Sequence, residues 1–345
     1  MAAVIGPVAL TRRRLSRAGL GLIGAGAIGA TALLFTVTDF QGVVDFLLVA
    51  YLLYLAGQTA VSYRVEGSRS AKNRLALTLL VSTLFLALVP LVAVLYYTAQ
   101  RGLQAITPGF LTHSMSGVGP LDSGGGAYHA IIGTLEQVSI ASIISIPVGL
   151  LAAIYLVEYG RGRLAYWIRF FVDVMTGLPS IVAGLFIFAF WVLALHKGFS
   201  GLAAGMALAI LMMPIVVRAS EEMLKLVPGD LREASYALGV PRWRTILSVV
   251  LPSASAGLTT GIILAVARVT GETAPLLLTA FGFDAIRTNP LKGAQSGLPL
   301  YVFNQAGSAF NVAVGRAWAG ALTLITIVLI LTVLARLLTR RNRLV

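Results

Sequence analysis

The chain has 345 residues, 58% of them hydrophobic and 11% charged, with no cysteine and a formal net charge of +13. So little polar surface cannot coat a water-soluble fold, so a bilayer must be the solvent for much of the molecule. Disulfides, thiolate metal sites and cysteine nucleophiles are excluded, the scattered His113, His129 and His196 make no metal set, and the basic residues lie between apolar runs rather than in the single patch that nucleic acid requires.

A helix needs roughly 20 apolar residues to cross a hydrocarbon layer of about 30 Å, and backbone groups in lipid must satisfy one another within the segment. Eight uncharged, mainly apolar stretches meet this length: 18–37, 46–63, 75–100, 137–157, 174–195, 198–217, 245–267 and 317–335. The first follows a basic stretch but has full span length and no small-residue cleavage site, which predicts a retained signal-anchor helix. It forms, with the second, an N-terminal hairpin; the stretch 64–74 then reads as a linker, dividing the chain into a two-helix hairpin over 1–74 and a six-helix domain over 75–345. Two other uncharged stretches are not spans. Residues 102–121 are rich in Gly, Pro and hydroxyl side chains and read as loop, and 293–315, broken by Gly, Pro, Asn and Gln, holds at most a short interfacial or re-entrant piece.

Eight passes put both termini on one side. Alternate segments carry 20 of the 26 Lys and Arg residues, including Arg12, Arg64, Arg161, Arg232 and Arg340, against 6 on the other set. The positive-inside rule makes the first set, with both termini, cytoplasmic.

The longest cytoplasmic connection, 218–244, has charges of both signs and a helical pattern. Asp230 is placed to cap a helix over 231–239, Gly239 to end it and Pro241 to prevent its continuation. A short helix is therefore expected on the cytoplasmic side, between two transmembrane helices.

Two charges fall within the apolar part of the chain. Counted from Pro252 as the start of the span, Arg268 lies about 24 Å along it at 1.5 Å per residue, in the outer half. A charge there costs about 2.5–3.5 kcal/mol on insertion scales, and such residues face the bundle interior or mark a pathway. Glu272 follows at i+4, where a continuing helix would put both on one face. The residues alone allow two roles, a structural ion pair or a guanidinium for a passing oxyanion held in place by Glu272. Arg218 ends the sixth apolar run, where a snorkelling anchor is the default. Glu136, Glu158 and Asp173 sit near helix ends and read as caps, interfacial charges or packing contacts.

Within the 218–244 connection, Glu233-Ala234-Ser235, then Gly239, then Leu251-Pro252 resemble the E-A-A-x3-G-x11-L-P signature of permease subunits in bacterial ATP-binding-cassette importers, with Ser in place of the second Ala. Ala153-Ile154-Tyr155-Leu156-Val157-Glu158-Tyr159, the run from Gly177-Leu178-Pro179-Ser180 to Phe186, and Gly271-Glu272-Thr273-Ala274-Pro275 look like the phosphate-specific branch, and its A-type more than its C-type subunit. The likeness covers about 75–338 and leaves out the hairpin. It implies an all-α integral membrane protein of about eight transmembrane helices, six forming a type I importer core, with a cytoplasmic coupling helix whose Glu233, Ala234, Ser235 and Gly239 serve ATPase docking. It also implies a charged pair at Arg268 and Glu272 on the substrate pathway, and an arginine at Arg218 for the inner exit. The implied setting is the bacterial inner (plasma) membrane, in a heterodimer with a second permease subunit, with two cytoplasmic ATPase subunits and an external phosphate-binding protein. The sequence has no Gly-x4-Gly-Lys-[Ser/Thr] phosphate loop, so no cofactor is expected in this chain, and ATP and Mg fall to the ATPase partners. The alternatives are a C-type subunit, a permease for phosphonate, sulfate or molybdate, an ion-coupled secondary transporter with Arg268 and Glu272 as its switch, or a non-transporting assembly protein.

Overall fold

In the computed structural model, which describes residues 15–38, 42–119 and 121–341, the apolar runs are helices. Arg12, Arg13, Arg14 and Arg343 of the charge bias lie outside the described residues. Two compact units divide within the third helix, at Leu95 and Tyr96.

The first unit contains α1 (Arg17–Val37), α2 (Val43–Glu66) and the start of α3 (Ser68–Ala105). The expected linker over 64–74 is helical apart from Gly67, whose φ of 86° lies in the left-handed region that favours glycine. Glu66 explains the order there. Its buried carboxylate accepts hydrogen bonds from Arg74 Nε (3.0 Å), Ser62 (2.7 Å) and the Leu15 amide (2.6 Å), joining α1, α2 and α3.

In the second unit, α3 is followed by a short helix α4 (Pro108–Thr112) inside the stretch expected to be loop. The long α5 (Tyr128–Ile154) runs on into a π-helical segment, Tyr155–Tyr159. Next come α6 (Arg163–Thr176) and α7 (Ser180–Ile187), the latter continued by a second π-helical segment, Phe188–Ala194. The sequence predicts a span over 174–195 preceded by a cytoplasmic connection that holds Arg161, Arg163 and Arg169. In the structure α7 and its continuation occupy most of that span, and α6 makes the connection helical. The chain bends by 106° between Thr176 and Ser180. The reason is Gly177-Leu178-Pro179: Pro179 has no amide to donate and drives Leu178 out of the helical region.

Then follow α8 (Gly201–Lys225), α9 (Gly229–Ala237) and α10 (Arg242–Thr245), which leads through a third π-helical segment, Ile246–Val250, into α11 (Leu251–Thr270). This span is thus continuous from Arg242 to Thr270, and Pro252 is not its start. In an α-helix the Pro252 ring would meet the Ser248 carbonyl; the wider π turn just before it relieves that clash. The last elements are α12 (Ala274–Thr279), α13 (Leu298–Ala306) and α14 (Asn311–Arg341). At nine residues α13 is a short piece and no span, as the broken pattern of 293–315 implies. Among the described residues, seven helices are each long and apolar enough to cross a bilayer, and the bent α6–α7 pair makes eight if it counts as one span. The chain is an all-α, multi-pass membrane protein.

Lipid gives helices no hydrophobic reason to associate, so close packing of small residues must hold them together. The α5–α8 contact shows this. A Cβ on Gly205 would come within 2.6 Å of the Ile140 side chain, and one on Gly149 within 2.8 Å of Val216. Ser145 donates to the Ala209 carbonyl at 2.9 Å across the same seam. Around it lie Val138, Leu208, Met212, Val269 and Leu276.

Two of the sequence motifs meet in the fold. Gly184 of α7 faces Pro275 of α12, and a Cβ there would lie 2.6 Å from the Pro275 Cα. Backbone cannot yield as a side-chain tip does, so even Gly184→Val is expected to force α7 and α12 apart. Overpacking of this kind costs about 1–3 kcal/mol. A fall in the melting temperature of the purified protein in detergent would report it, and an unchanged value would show that the contact is slack.

Candidate functional site

The connection between α8 and α11 carries the first group of expected residues. The helix begins at Gly229, two residues before the expected start, because Pro228 ends the preceding turn. Asp230 therefore lies in the first turn and makes no capping hydrogen bond, although its charge still suits a helix N-terminus. The far end is as expected. Gly239 has a φ of 74°; its amide donates to the Tyr236 carbonyl at 2.9 Å and that of Val240 to Ser235 at 3.2 Å. This double bond pattern is a Schellman motif, which requires the left-handed conformation that glycine takes without strain.

The period of 3.6 residues sorts the expected docking residues onto two faces. Glu233 and Ala234 are exposed, as are Leu231, Tyr236 and Leu238. Ser235 is not: it is buried, its hydroxyl 2.9 Å from that of Thr245. Ser235 thus binds α9 to its own chain and is not part of the face presented outward. Arg232, three positions earlier on that inner side, pairs with buried Glu158 at 2.8 Å.

Arg218 lies two turns inside α8 rather than at its end, since the helix continues to Lys225. It forms an ion pair with Asp173 of α6 and another, at 3.2 Å, with Glu221. Glu221 is nearly fully buried and also meets Lys225 at 2.8 Å and Arg169 at 3.4 Å. Three cations thus converge on one carboxylate beneath α6 and α8. The sequence reading missed Glu221. The available signal was its spacing, i+3 from Arg218 and i−4 from Lys225, which on a helix puts all three on one face. Chemically the cluster is a cationic pocket already occupied by protein carboxylates, so an oxyanion arriving there must compete with Glu221 and Asp173 for Arg218.

Arg268 and Glu272 are not brought together as expected. The helix α11 ends at Thr270 with Gly271 as its cap, and the Glu272 amide turns back to the Val269 carbonyl at 3.1 Å. Glu272 therefore lies beyond the helix, and the i, i+4 relation no longer puts it on the Arg268 face. Among the described residues the two form no ion pair. Arg268 is exposed and Glu272 is half-buried. With the span starting at Arg242, Arg268 sits about 39 Å along it, in its last turn far from α9, where the carbonyl end of the helix favours a cation.

Beyond that end the chain is stitched down by side-chain amides. Gln137 donates to Gln295 at 3.1 Å, Gln295 donates to Glu136 and to the Arg287 carbonyl at 3.0 Å, and the Leu298 amide donates to Thr134 at 2.6 Å. Glu136, like Glu158, is thus a packing carboxylate, whereas Asp173 is an exposed partner of Arg218. A polar cavity of about 430 Å³ opens nearby, lined by Ser116, Asp284, Ser296, Tyr301 and Asn304; burial pushes the Tyr301 phenol above its ordinary pKa.

Residues 145–344 match the family described as binding-protein-dependent transport system inner membrane component. The phosphate transport system permease protein PstA 1 of Mycobacterium tuberculosis is 45% identical over 281 residues, covering 80% of this chain and 91% of that protein. PstA of Yersinia pestis is 41% identical over 276 residues, covering 80% and 92%. Among solved structures, an inward-facing form of the MetNI methionine ABC transporter aligns with a TM-score of 0.50 at 19% identity, over 63% of this chain and 94% of that one, a likeness of fold. The end of α5, all of α8 and the helix α9 fall within the matched residues: the chain belongs to the binding-protein-dependent transport system inner membrane components, in the family of PstA phosphate transport permeases.

Proposed function

We propose that this chain is a transmembrane subunit of an ATP-driven importer that passes inorganic phosphate into the cytoplasm by alternating access. The observation that carries the reading is α9, a helix standing between two spans with Glu233 and Ala234 uncovered, in a chain without a phosphate loop of its own. Such a face serves an engine carried by another chain. Two ATPase subunits, holding ATP and Mg, meet α9, which puts both termini in the cytoplasm, in agreement with the distribution of Lys and Arg. A second permease subunit covers the exposed Arg268 and completes the pathway, and an external binding protein delivers phosphate. The names of the relatives support phosphate over other oxyanions. Arg268 receives the anion in the outer half and Arg218 passes it on at the inner end, with Glu221 and Asp173 holding that guanidinium between turnovers; Glu272 stands near the path without a fixed partner.

Reconstitution tests this. Proteoliposomes with the complete complex and the external binding protein are expected to take up radiolabelled phosphate only with ATP on the ATPase side, and excess sulfate or phosphonate should not compete. Uptake by the purified chain alone, driven by an ion gradient, would establish a secondary transporter instead.

A further inference from the structure

We propose that Arg232 is the positioning residue that fastens α9 to the transmembrane bundle, so that a force applied to α9, which the backbone joins to α8, reaches α5 through one guanidinium. The proposal rests on the reading that α9 meets the ATPase.

Little else holds α9. Of its nine residues, Gly229, Asp230, Leu231, Glu233, Ala234, Tyr236 and Ala237 are exposed. Arg232 reaches inward and makes four hydrogen bonds. Its Nε and Nη2 donate to Oε1 of Glu158 at 3.0 and 2.8 Å, Nη1 donates to the Val227 carbonyl at 2.7 Å, and Nη2 to the Leu224 carbonyl at 3.0 Å. The last turn of a helix has carbonyls with no intrahelical partner and a partial negative charge. Arg232 adds donors to one carbonyl in the last turn of α8 and to another just beyond it, while its other edge holds Glu158 in the π-helical continuation of α5. Three elements therefore share one planar fork. A lysine, with a single nitrogen on a flexible stem, cannot span the same set of acceptors.

Glu158 has no alternative. Its side chain is 3% exposed, and a carboxylate taken out of water needs a charged partner. It also sits within the π-helical segment Tyr155–Tyr159. Such segments interrupt the regular ladder and are frequent at functional sites. The second attachment of α9, Ser235 to Thr245, leads directly into another, Ile246–Val250. Both anchors of α9 thus end on helix turns whose hydrogen bonding departs from the α pattern, where a bundle helix can change direction without breaking. The direct charged anchor is Arg232; the hydroxyl pair is neutral.

The experiment compares Arg232→Lys, Arg232→Ala and the neutral pair Glu158→Gln/Arg232→Gln with the unaltered chain, each in the complex co-purified with its ATPase and second permease. Three quantities are measured: ATPase retained, ATP hydrolysed and inorganic phosphate taken up. ATPase is expected to stay bound to all variants, because the outer face of α9 is untouched. Phosphate moved per ATP should fall by about tenfold, the scale of a coupling between distant sites. A residue that merely stabilises the fold would lower hydrolysis and uptake together and leave that ratio unchanged, so an unchanged ratio in both Arg232→Lys and Arg232→Ala overturns the proposal. If Arg232→Ala fails to insert, Arg232→Lys and the neutral pair decide the matter by the same ratio. Failure of the unaltered chain to retain any ATPase would overturn the docking reading itself, a result distinct from an unchanged ratio in a complex that assembles.

Discussion

Arg268→Ala is expected to reduce phosphate uptake by the assembled importer by about 10- to 100-fold, the loss that follows from one charge-assisted hydrogen bond of about 1.5–3 kcal/mol. The chain should still insert, since Arg268 is exposed and, among the described residues, no carboxylate is left unpaired by its removal. Its guanidinium stands at the carbonyl end of α11. An unpaired cation in the outer half of a span is costly unless it faces water or an anion. Arg268→Lys should retain part of the activity, keeping the charge and losing the fork. Because α11 ends at Thr270, Glu272 is free of Arg268, and Glu272→Gln should lower uptake less than Arg268→Ala. Uptake assays in vesicles with matched amounts of complex measure all three. Normal uptake by Arg268→Ala would remove this residue from the pathway.

A comparable effect is expected at the other end of the molecule. Gly239→Pro should abolish retention of the ATPase while the chain still inserts. Proline fixes φ near −65°, whereas Gly239 has a φ of 74° and donates its amide to Tyr236. Both the Schellman motif and the exit direction of α9 are then lost. A Cβ at this position meets nothing within 4 Å, so Gly239→Ala carries the backbone cost alone, about 1–2 kcal/mol, and should weaken retention without abolishing it. Ala234→Trp tests the face rather than the turn. Ala234 is exposed, so a large side chain there disturbs no packing within the chain and acts only by keeping a partner away. Normal co-purification of the ATPase with both Gly239→Pro and Ala234→Trp would contradict docking on α9.

The cluster at the base of α6 and α8 qualifies the role of Arg218. Its commitment to Asp173 and Glu221 makes it a restrained group rather than a lone anchor. Restraint is useful at an exit, where an anion must be held weakly enough to leave. If phosphate passes Arg218 as proposed, the protein carboxylates there compete with it by the same charge-assisted bonds that would hold it.

What the sequence by itself determined are properties that add up locally along the chain. Hydrophobic length located the spans, because the transfer of each side chain into lipid depends little on its neighbours. The left-handed turn at Gly239 and the short α13 followed from residue types with restricted or special backbone freedom. So did the presence of a helix between α8 and α11, though not its start. What only the tertiary structure decided depends on rotational phase and on where helices end. The bend at Gly177-Leu178-Pro179 set the start of the expected span at Ser180 and put a separate helix, α6, where a connection was expected. The stop at Thr270 removed Glu272 from the face of Arg268, the phase of α9 turned Ser235 inward, and the continuation of α8 to Lys225 drew Glu221 into a cluster with Arg169 and Arg218. Ion pairs act over a few ångströms, so a change of one residue at a helix end or a rotation of 100° decides which charges meet. The pairing of Arg232 with Glu158 spans 74 positions of sequence, and nothing short of the folded bundle brings them together.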